Sequence, residues 1–204
     1  MNIYTIGHTN YSIENFVKLI RLYNINCIVD VRSTPFSKYT PQFNRKDLKI
    51  TLNQKGVHYI YMGIEFGARR NEQYLYTSQG YLDFEKTIKN KVFLQGVRRL
   101  VDGCEKGFNI SLMCTEKDPF DCHRSIMVGK GLKDNGFDVK HIFPNGNVQT
   151  QEQIEQRLLD KYFKNRFQVS LESFFEKQMD EEEMIAEAYR KRNKEIGYEI
   201  GGRE

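Results

Sequence analysis

Strand-like and helix-like segments alternate through the first 145 residues, and this alternation restricts the possible folds more than any other feature of the chain. The clearest strand signal is the run CIVDV at 27–31, which is apolar except for Asp30. Such runs are typical of strands covered on both faces in a parallel sheet. Other strand-like runs stand at 2–7, 57–62, 108–113 and 139–143. The alternation predicts an α/β fold, in which a mainly parallel sheet of about five strands has helices on both faces.

Helix signals fill the intervals between these runs. Ser12 is a typical N-cap before an apolar pattern of helical period, and Gly56, Gly107 and Gly136 stand where left-handed caps end helices. The predicted helices begin after Ser12, cover 45–55, occupy 81–104 as one helix or two abutting ones, and run from about 122 to 135. Asp118 or Asp121 is expected to cap the last of them.

Charge and pattern both change near residue 150. Residues 1–149 carry 21 Lys and Arg against 14 Asp and Glu, a balance of +7, whereas residues 150–204 carry 10 against 13, a balance of −3. A capping-box sequence at Thr150–Gln153 and a charged stretch around 170–195 predict helices in the second part. We therefore divide the chain into an α/β domain, 1–149, and a helical, charged C-terminal extension, 150–204, whose helices are candidates for self-association.

Composition excludes several classes of protein. No run approaches the roughly 18 apolar residues of a membrane helix, and the first ten residues resemble no secretory leader, so we expect a cytoplasmic protein without a membrane partner. Four cysteines are too few for a disulfide framework, and we expect Cys27 and Cys104 to serve packing. No motif indicates an organic cofactor. The positive α/β part favours a phosphate-bearing ligand or a nucleic acid as partner.

Polar and reactive side chains collect where the predicted strands end. Ligands of open parallel sheets bind outside the carboxyl ends of the strands, so we expect these side chains to share one cleft. They are His8 after the first strand, Arg32 and Ser33 after the second, Arg69 and Arg70 after the third, and Cys114, Glu116, Cys122, His123, Arg124 and Ser125 after the fourth.

The residue types suggest a division of roles. A thiol at a helix N-terminus beside an imidazole is a possible nucleophile, so Cys114, Glu116, Cys122, His123 and His8 are the candidate catalytic residues. The candidate substrate-binding residues, suited to anions, are Arg32, Ser33, Arg69, Arg70, Arg124 and Ser125. Two alternatives stay open. The cysteines and His8 could be structural, or Cys114, Glu116, Cys122 and His123 could hold a metal ion, although their spacing matches no recognised zinc pattern.

Two expectations concern the surroundings of this cleft. A carboxylate inside an apolar strand needs a partner, so Asp30 should bind a backbone N–H or Arg32. Basic residues of the predicted loops should form an anion-binding rim. The rim comprises Arg32, Lys38, Arg45, Arg69 and Arg70, and the aromatic side chains among them, Phe36, Tyr39 and Phe43, either stack on bases or pin the loop to the core.

Several of these segments resemble a known family. They are TIGHT at 5–9, VDVRSTP at 29–35, PQFN at 41–44, LMCTEKDPFDCHRS at 112–125 and VKHI at 139–142. In this order they resemble the bacterial and archaeal family called domain of unknown function 488, over about residues 1–145. The resemblance implies a compact α/β domain with these loops as its site, and it implies no established activity.

A weaker resemblance concerns rhodaneses and cysteine phosphatases, in which a cysteine after a strand begins a loop of backbone N–H groups that binds an oxyanion. Asp30, Arg32, Cys114 and Arg124 have comparable positions. Those enzymes have five residues between the cysteine and the arginine, whereas nine lie between Cys114 and Arg124, so the same loop cannot form.

Three functional hypotheses follow. The first is an enzyme, a cysteine- and histidine-based hydrolase or transferase, that acts on a phosphate-bearing substrate such as a nucleotide or nucleic acid. The second is a non-catalytic module that binds nucleic acid or protein. The third is rhodanese- or phosphatase-like cysteine chemistry. An enzyme requires a reachable cysteine sulfur beside His and Arg, whereas a module requires an extended basic strip.

Overall fold

The computed structural model of the protein describes residues 1–164, 166 and 179–199. Within these residues one sheet has the strand order β3-β2-β4-β1-β5-β6. Its strands are β1 (Asn2–Gly7), β2 (Cys27–Asp30), β3 (His58–Tyr61), β4 (Ile110–Cys114), β5 (Asp138–Ile142) and β6 (Val148–Thr150). The first five run parallel and β6 pairs antiparallel with β5. The predicted α/β class and its five parallel strands are confirmed, and β6 was not predicted.

Helices connect the strands, and all except α3 lie where helices were predicted. They are α1 (Ile13–Leu22), α2 (Arg45–Gln54), α3 (Gly63–Phe66), α4 (Phe84–Ile88), α5 (Lys91–Glu105), α6 (Lys130–Asp134), α7 (Gln151–Tyr162) and α8 (Glu181–Ile196). Ser12 caps α1 by accepting a hydrogen bond from the Asn15 N–H, and the predicted capping box opens α7. Gly56 and Gly136 have φ of 74° and 82°, which confirms the predicted helix ends.

The helix expected after the fourth strand differs from a regular α-helix. A 3₁₀ turn, Pro119–Asp121, precedes a π-helical segment, Arg124–Gly129, which continues into α6. Neither predicted cap acts on this segment, because Asp118 accepts from the Phe120 N–H of the 3₁₀ turn and Asp121 pairs with Arg192. Single π-helical turns are frequent at functional sites.

The sheet has a hydrophobic core on each face. Side chains of successive strand residues point to opposite faces, so β1 directs Ile3 to one core and Ile6 to the other. The first core lies under α5, the π-helical segment, α7 and α8, and the second lies under α1 and α2. Cys114 belongs to the first core, at the end of β4.

The C-terminal helices share the first core with the sheet. Ile154 and Leu158 of α7, together with Ala188 and Tyr189 of α8, are buried in it. The predicted boundary at residue 149 falls inside β6. The part of the predicted charged helix at 170–178 lies outside the described residues, and self-association through these helices stays a prediction. None of the described helices is long and apolar enough to cross a membrane.

A buried polar chain joins the sheet to both C-terminal helices. The Thr5 hydroxyl lies 2.8 Å from His141 Nδ1, and His141 Nε2 lies 2.7 Å from Gln151 Oε1. The Gln151 amide donates to the Ser125 carbonyl and to the Tyr189 hydroxyl. Because each buried polar group has a partner, the chain specifies how α7 and α8 sit on the sheet. Burial and the charge of Arg124 lower the pKa of His141 to about 3.

We expect His141 to make stability fall at acid pH. The unfolded state takes up a proton near pH 6.5, whereas the folded state keeps His141 neutral down to about pH 3. Its contribution is complete above pH 6.5 and is lost as the pH falls below that value. Between pH 7 and pH 5, the free energy of unfolding should fall by about 2 kcal/mol more in the natural protein than in His141→Gln. Chemical denaturation at both values measures this, and equal losses would contradict it.

Candidate functional site

The candidate site lies where the sheet changes its winding direction. From β2 the chain moves outward to β3, and from β4 it moves the other way, past β1, to β5. Because the connections after these adjacent strands diverge, a crevice opens between them at the carboxyl edge. Arg32 and Ser33 follow β2, and Cys114 to Glu116 end or follow β4. The exits of β2 and β4 therefore lie side by side at this edge, as the strand pattern predicted.

A cleft of about 200 Å³ occupies this crevice. Its wall combines the β2 exit, the β3 loop, the β4 loop and the C-terminal segment. The lining residues are Arg32, Ser33, Thr34, Ala68, Arg69, Cys114, Thr115, Glu116, His123 and Tyr198. A larger groove of about 420 Å³ adjoins it and shares Ser33, Thr34 and Arg69 with it. The groove also contains Arg70.

Four reactive side chains meet at the inner end of the cleft. The Cys114 and Cys122 sulfurs lie 3.0 and 2.8 Å from Glu116 Oε2, and Cys114 Sγ lies 3.8 Å from His123 Nδ1. His123 Nε2 is 3.2 Å from the Val31 carbonyl oxygen, which assigns its proton to Nε2 and the lone pair to Nδ1. Both cysteines are buried, whereas Glu116 is exposed towards solvent.

The two thiols have opposite electrostatic environments. Burial raises the pKa of Cys114 well above its usual value, and the neighbouring Cys122 and Glu116 add to the increase. Burial also opposes ionisation of Cys122, but hydrogen bonding with Cys114 and the charge of Arg124 outweigh it and hold the pKa of Cys122 well below its usual value. The Arg124 N–H reaches Cys122 Sγ at 3.4 Å. Cys122, at the start of the π-helical segment, is therefore the cysteine whose thiolate form is favoured.

Arg124 and Ser125 lie behind the cleft. The Arg124 guanidinium is fully buried and donates to the carbonyl oxygens of Glu116, at 2.6 Å, and Lys117, at 3.1 Å. Ser125 is also fully buried, and its carbonyl accepts from Gln151. The geometry therefore makes Arg124 a clamp for the β4 loop, and neither residue lines the cleft where an anion contact was predicted.

A buried ion pair holds the β2 exit. The Arg32 guanidinium donates to both carboxylate oxygens of Asp30, at 2.9 and 2.7 Å, and to the Phe43 carbonyl. Tyr59 Oη donates to Asp30 Oδ2 at 2.6 Å. Arg32 also donates to His8 Nε2 at 3.0 Å. The predicted Asp30–Arg32 partnership is confirmed.

His8 is engaged on both ring nitrogens. Nδ1 lies 2.8 Å from the Thr9 carbonyl oxygen, Nε2 accepts from Arg32, and the ring stacks on Phe43. Burial and the charge of Arg32 lower the pKa of His8 to about 4. His8 is thus a neutral histidine that orients Arg32, and its predicted catalytic role has no support from the cleft, because His8 is not among the lining residues.

The predicted rim is exposed only in part. Phe36 and Tyr39 are 63% and 95% exposed, whereas Phe43 is fully buried and unavailable for stacking on a base. Arg69 lies over the Tyr198 ring, and Arg45 lies over Tyr61. Arg70 donates to the carbonyl oxygens of Ile64 and Glu65 in the preceding helix, α3.

The structure places five predicted residues on the cleft wall together with Cys114: Arg32, Ser33, Arg69, Glu116 and His123. Cys122 reaches the cluster from behind, and Arg70 lies in the adjoining groove. The sequence did not predict Tyr198 as a lining residue, because no pattern around residue 198 indicates that this segment lies at the carboxyl edge of the sheet. It also missed the Val31 carbonyl, since backbone acceptors have no sequence signature.

The fold and the site define an open α/β domain with a cysteine- and histidine-bearing cleft at the switch point of its sheet. The family model described as Domain of unknown function DUF488 matches residues 12–130. The chain belongs to this family, as the resemblance of its motifs implied. No curated protein and no solved structure matches it.

We expect Asp30→Ala to lower the free energy of unfolding by roughly 3–5 kcal/mol, because it leaves the Arg32 guanidinium buried without its counter-charge. Chemical denaturation measures the loss. Asp102→Ala is the matched control, since Asp102 is exposed on α5 and its change should stay within about 0.5 kcal/mol. Similar losses in both variants would contradict this account of the ion pair.

Gly7→Ala should displace the β4 loop. A Cβ atom at this position would overlap the Glu116 carbonyl group and come within 3.3 Å of the Arg124 guanidinium. We expect a loss of about 1–3 kcal/mol in the free energy of unfolding. At Gly103 a Cβ atom would meet only the flexible end of Ile110, so Gly103→Ala serves as the control. Unchanged stability in Gly7→Ala would show that the loop adapts.

Proposed function

We propose that the protein is an enzyme that acts on a phosphate-bearing substrate in the cleft between the β2 and β4 exits. The observation that carries the proposal is the composition of one wall. The same cleft of about 200 Å³ is lined by the cations Arg32 and Arg69 and by the reactive groups of Cys114, Glu116 and His123. Anion contacts beside a sulfur, a carboxylate and an imidazole are typical of catalytic sites.

Within this proposal, the adjoining groove receives the phosphate groups. Arg69 stands on the wall that cleft and groove share, next to the Ser33 and Thr34 residues, which carry hydroxyls. Arg69 stands where the cleft and the groove meet, so we assign the principal anion contact to Arg69. The balance of +7 over residues 1–149 attracts such a ligand.

The substrate's reacting part then faces the inner end of the cleft. Glu116 Oε2 lies within 3.0 Å of both sulfurs, where it can accept or return a proton. Glu116 is the exposed member of the cluster, and we assign it the proton-transfer role. Cys114 and His123 complete the reactive wall.

A second candidate function is nucleic-acid binding without catalysis. One observation favours it, because Phe36 and Tyr39 are exposed in the loop that carries Lys38, and exposed aromatic side chains among cations can stack on bases. Binding of this kind falls steeply with salt and does not depend on Cys114 or Glu116.

Inorganic phosphate is the first probe, titrated by ³¹P NMR. We expect Arg69→Met to weaken binding about 10- to 100-fold, because a charge-assisted hydrogen bond contributes roughly 1.5–3 kcal/mol. Arg98→Met, an exposed arginine on α5 outside the cleft, should bind phosphate as the natural protein does. Equal affinity in both variants would exclude the cleft as the phosphate site.

Turnover is then sought with nucleotides and short single-stranded oligonucleotides. With any substrate found, Glu116→Gln should lower kcat about 10²- to 10⁴-fold while phosphate affinity is retained. Binding without turnover, with a steep salt dependence carried by Lys38 and Arg45, would support the non-catalytic function and overturn the enzymatic one.

A further inference from the structure

We propose that Cys114, Cys122 and His123 bind one divalent metal ion of the zinc type, with the fourth position open to the cleft at Glu116. This inference rests on the proposed function, because it concerns the same reactive groups in the same cleft. It adds a metal ion to the chemistry of that site. It is carried by the arrangement of the donor atoms.

The three donor atoms, two sulfurs and His123 Nδ1, all lie within 4.8 Å of one another. The Cys114 sulfur is 3.8 Å from Nδ1. In a tetrahedral zinc site with bonds of about 2.3 Å to sulfur and 2.0–2.1 Å to nitrogen, ligand atoms stand about 3.5–3.8 Å apart. The donors therefore need to move by no more than about 1 Å to enclose an ion.

His123 is oriented as a ligand. Its Nε2–H donates to the Val31 carbonyl oxygen at 3.2 Å, so the Nδ1 lone pair faces the two sulfurs. Histidines that bind metal ions usually donate their other N–H to a backbone carbonyl or a carboxylate in this way. The acceptor, Val31, directly follows β2, so the ring is held by a segment other than the strand that carries Cys114.

The supporting elements are well packed. Cys114 ends the central strand β4, and Cys122 and His123 directly precede the π-helical segment. Both cysteines are at most 2% exposed. The Arg124 N–H at 3.4 Å from Cys122 Sγ stabilises a thiolate there. Both buried sulfurs lie close to the same carboxylate oxygen of Glu116. A cation bound between the two sulfurs would stabilise negative charge on this group of atoms.

Glu116 stands on the open side. Its Oε2 atom lies 3.0 and 2.8 Å from the sulfurs, and the residue lines the cleft. Three protein ligands with a fourth position towards a cleft are typical of catalytic zinc sites, whereas structural sites have four. The sulfur and nitrogen donors select zinc-type ions over Mg²⁺ and Ca²⁺, which prefer oxygen. A bound ion would supply a Lewis acid beside the substrate.

The test uses the full chain, stripped with a chelator and titrated with Zn²⁺ and Co²⁺. We expect one equivalent of metal by elemental analysis, and a cobalt spectrum with sulfur-to-metal charge transfer and the visible bands of tetrahedral Co²⁺. Cys114→Ser, Cys122→Ser and His123→Gln should each lower zinc affinity at least about 100-fold, whereas Cys104→Ser should keep one equivalent. Cys104 is the matched control because it is a partly buried thiol on α5.

A second measurement covers variants that fail to fold. Because Cys114 and Cys122 are buried in the natural protein, labelling is done in enough denaturant for both to react with iodoacetamide without metal. Zinc should then protect both but leave Cys104 unprotected, and a chelator should reverse the protection, as read by peptide mass spectrometry. Substoichiometric metal, a cobalt spectrum without charge transfer, or equal labelling with and without zinc would overturn the site.

Failure of this inference can be distinguished from failure of the proposed function. Phosphate binding that depends on Arg69 in a protein that takes up no zinc would overturn the metal site alone. One equivalent of zinc on the three ligands, in a protein that does not bind phosphate, would confirm the metal site and overturn the proposed substrate class.

Discussion

The buried ion pair between Asp30 and Arg32 connects most of the elements that form the cleft. Its carboxylate lies at the end of β2, and its guanidinium donates to the Phe43 carbonyl of a second 3₁₀ turn, Pro41–Phe43, and to His8 at the β1 exit. Tyr59 adds a bond from β3. An unpaired charge in this position would cost several kcal/mol, so each partner is held in place by the others. The cleft wall contributed by β2 depends on this network.

The opposite wall depends on a second buried cation. Arg124 binds two carbonyl oxygens of the β4 loop, Glu116 and Lys117, that would otherwise face the interior without donors. Gly7 permits the approach, because its lack of a side chain leaves room for the Glu116 carbonyl group. The loop is thus folded over the end of β1, and this fold places Glu116 beside the two sulfurs.

The two proposals concern different parts of one cleft, its outer wall and its inner end. Phosphate recognition uses the outer wall around Arg69, whereas the metal proposal concerns the inner cluster of Cys114, Cys122 and His123. Both use Glu116, which stands between the cluster and the cleft. The family is named for a domain of unknown function, so its membership specifies neither property. The geometry makes them separable, because the anion contacts and the metal donors are different side chains.

Local patterns in the sequence were sufficient for the elements of the fold. The run CIVDV, the N-cap at Ser12 and the glycines that end helices predicted five parallel strands and the helices between them, because hydrophobic period and backbone preference act over a few residues. The strand exits also predicted which loops line the cleft between β2 and β4. The unpredicted β6 is a short edge strand with little hydrophobic pattern of its own.

The tertiary structure alone decided which side chains face the cleft. The sequence predicted Arg32 and Arg124 as anion-binding residues and His8 as a catalytic one, but pairing and burial made Arg124 a loop clamp and His8 a partner of Arg32. The π-helical segment and the return of Tyr198 to the sheet edge were likewise set by packing. A residue's type determines what chemistry it can perform, whereas its surroundings, formed by elements distant in sequence, determine whether that chemistry faces solvent, substrate or another buried group.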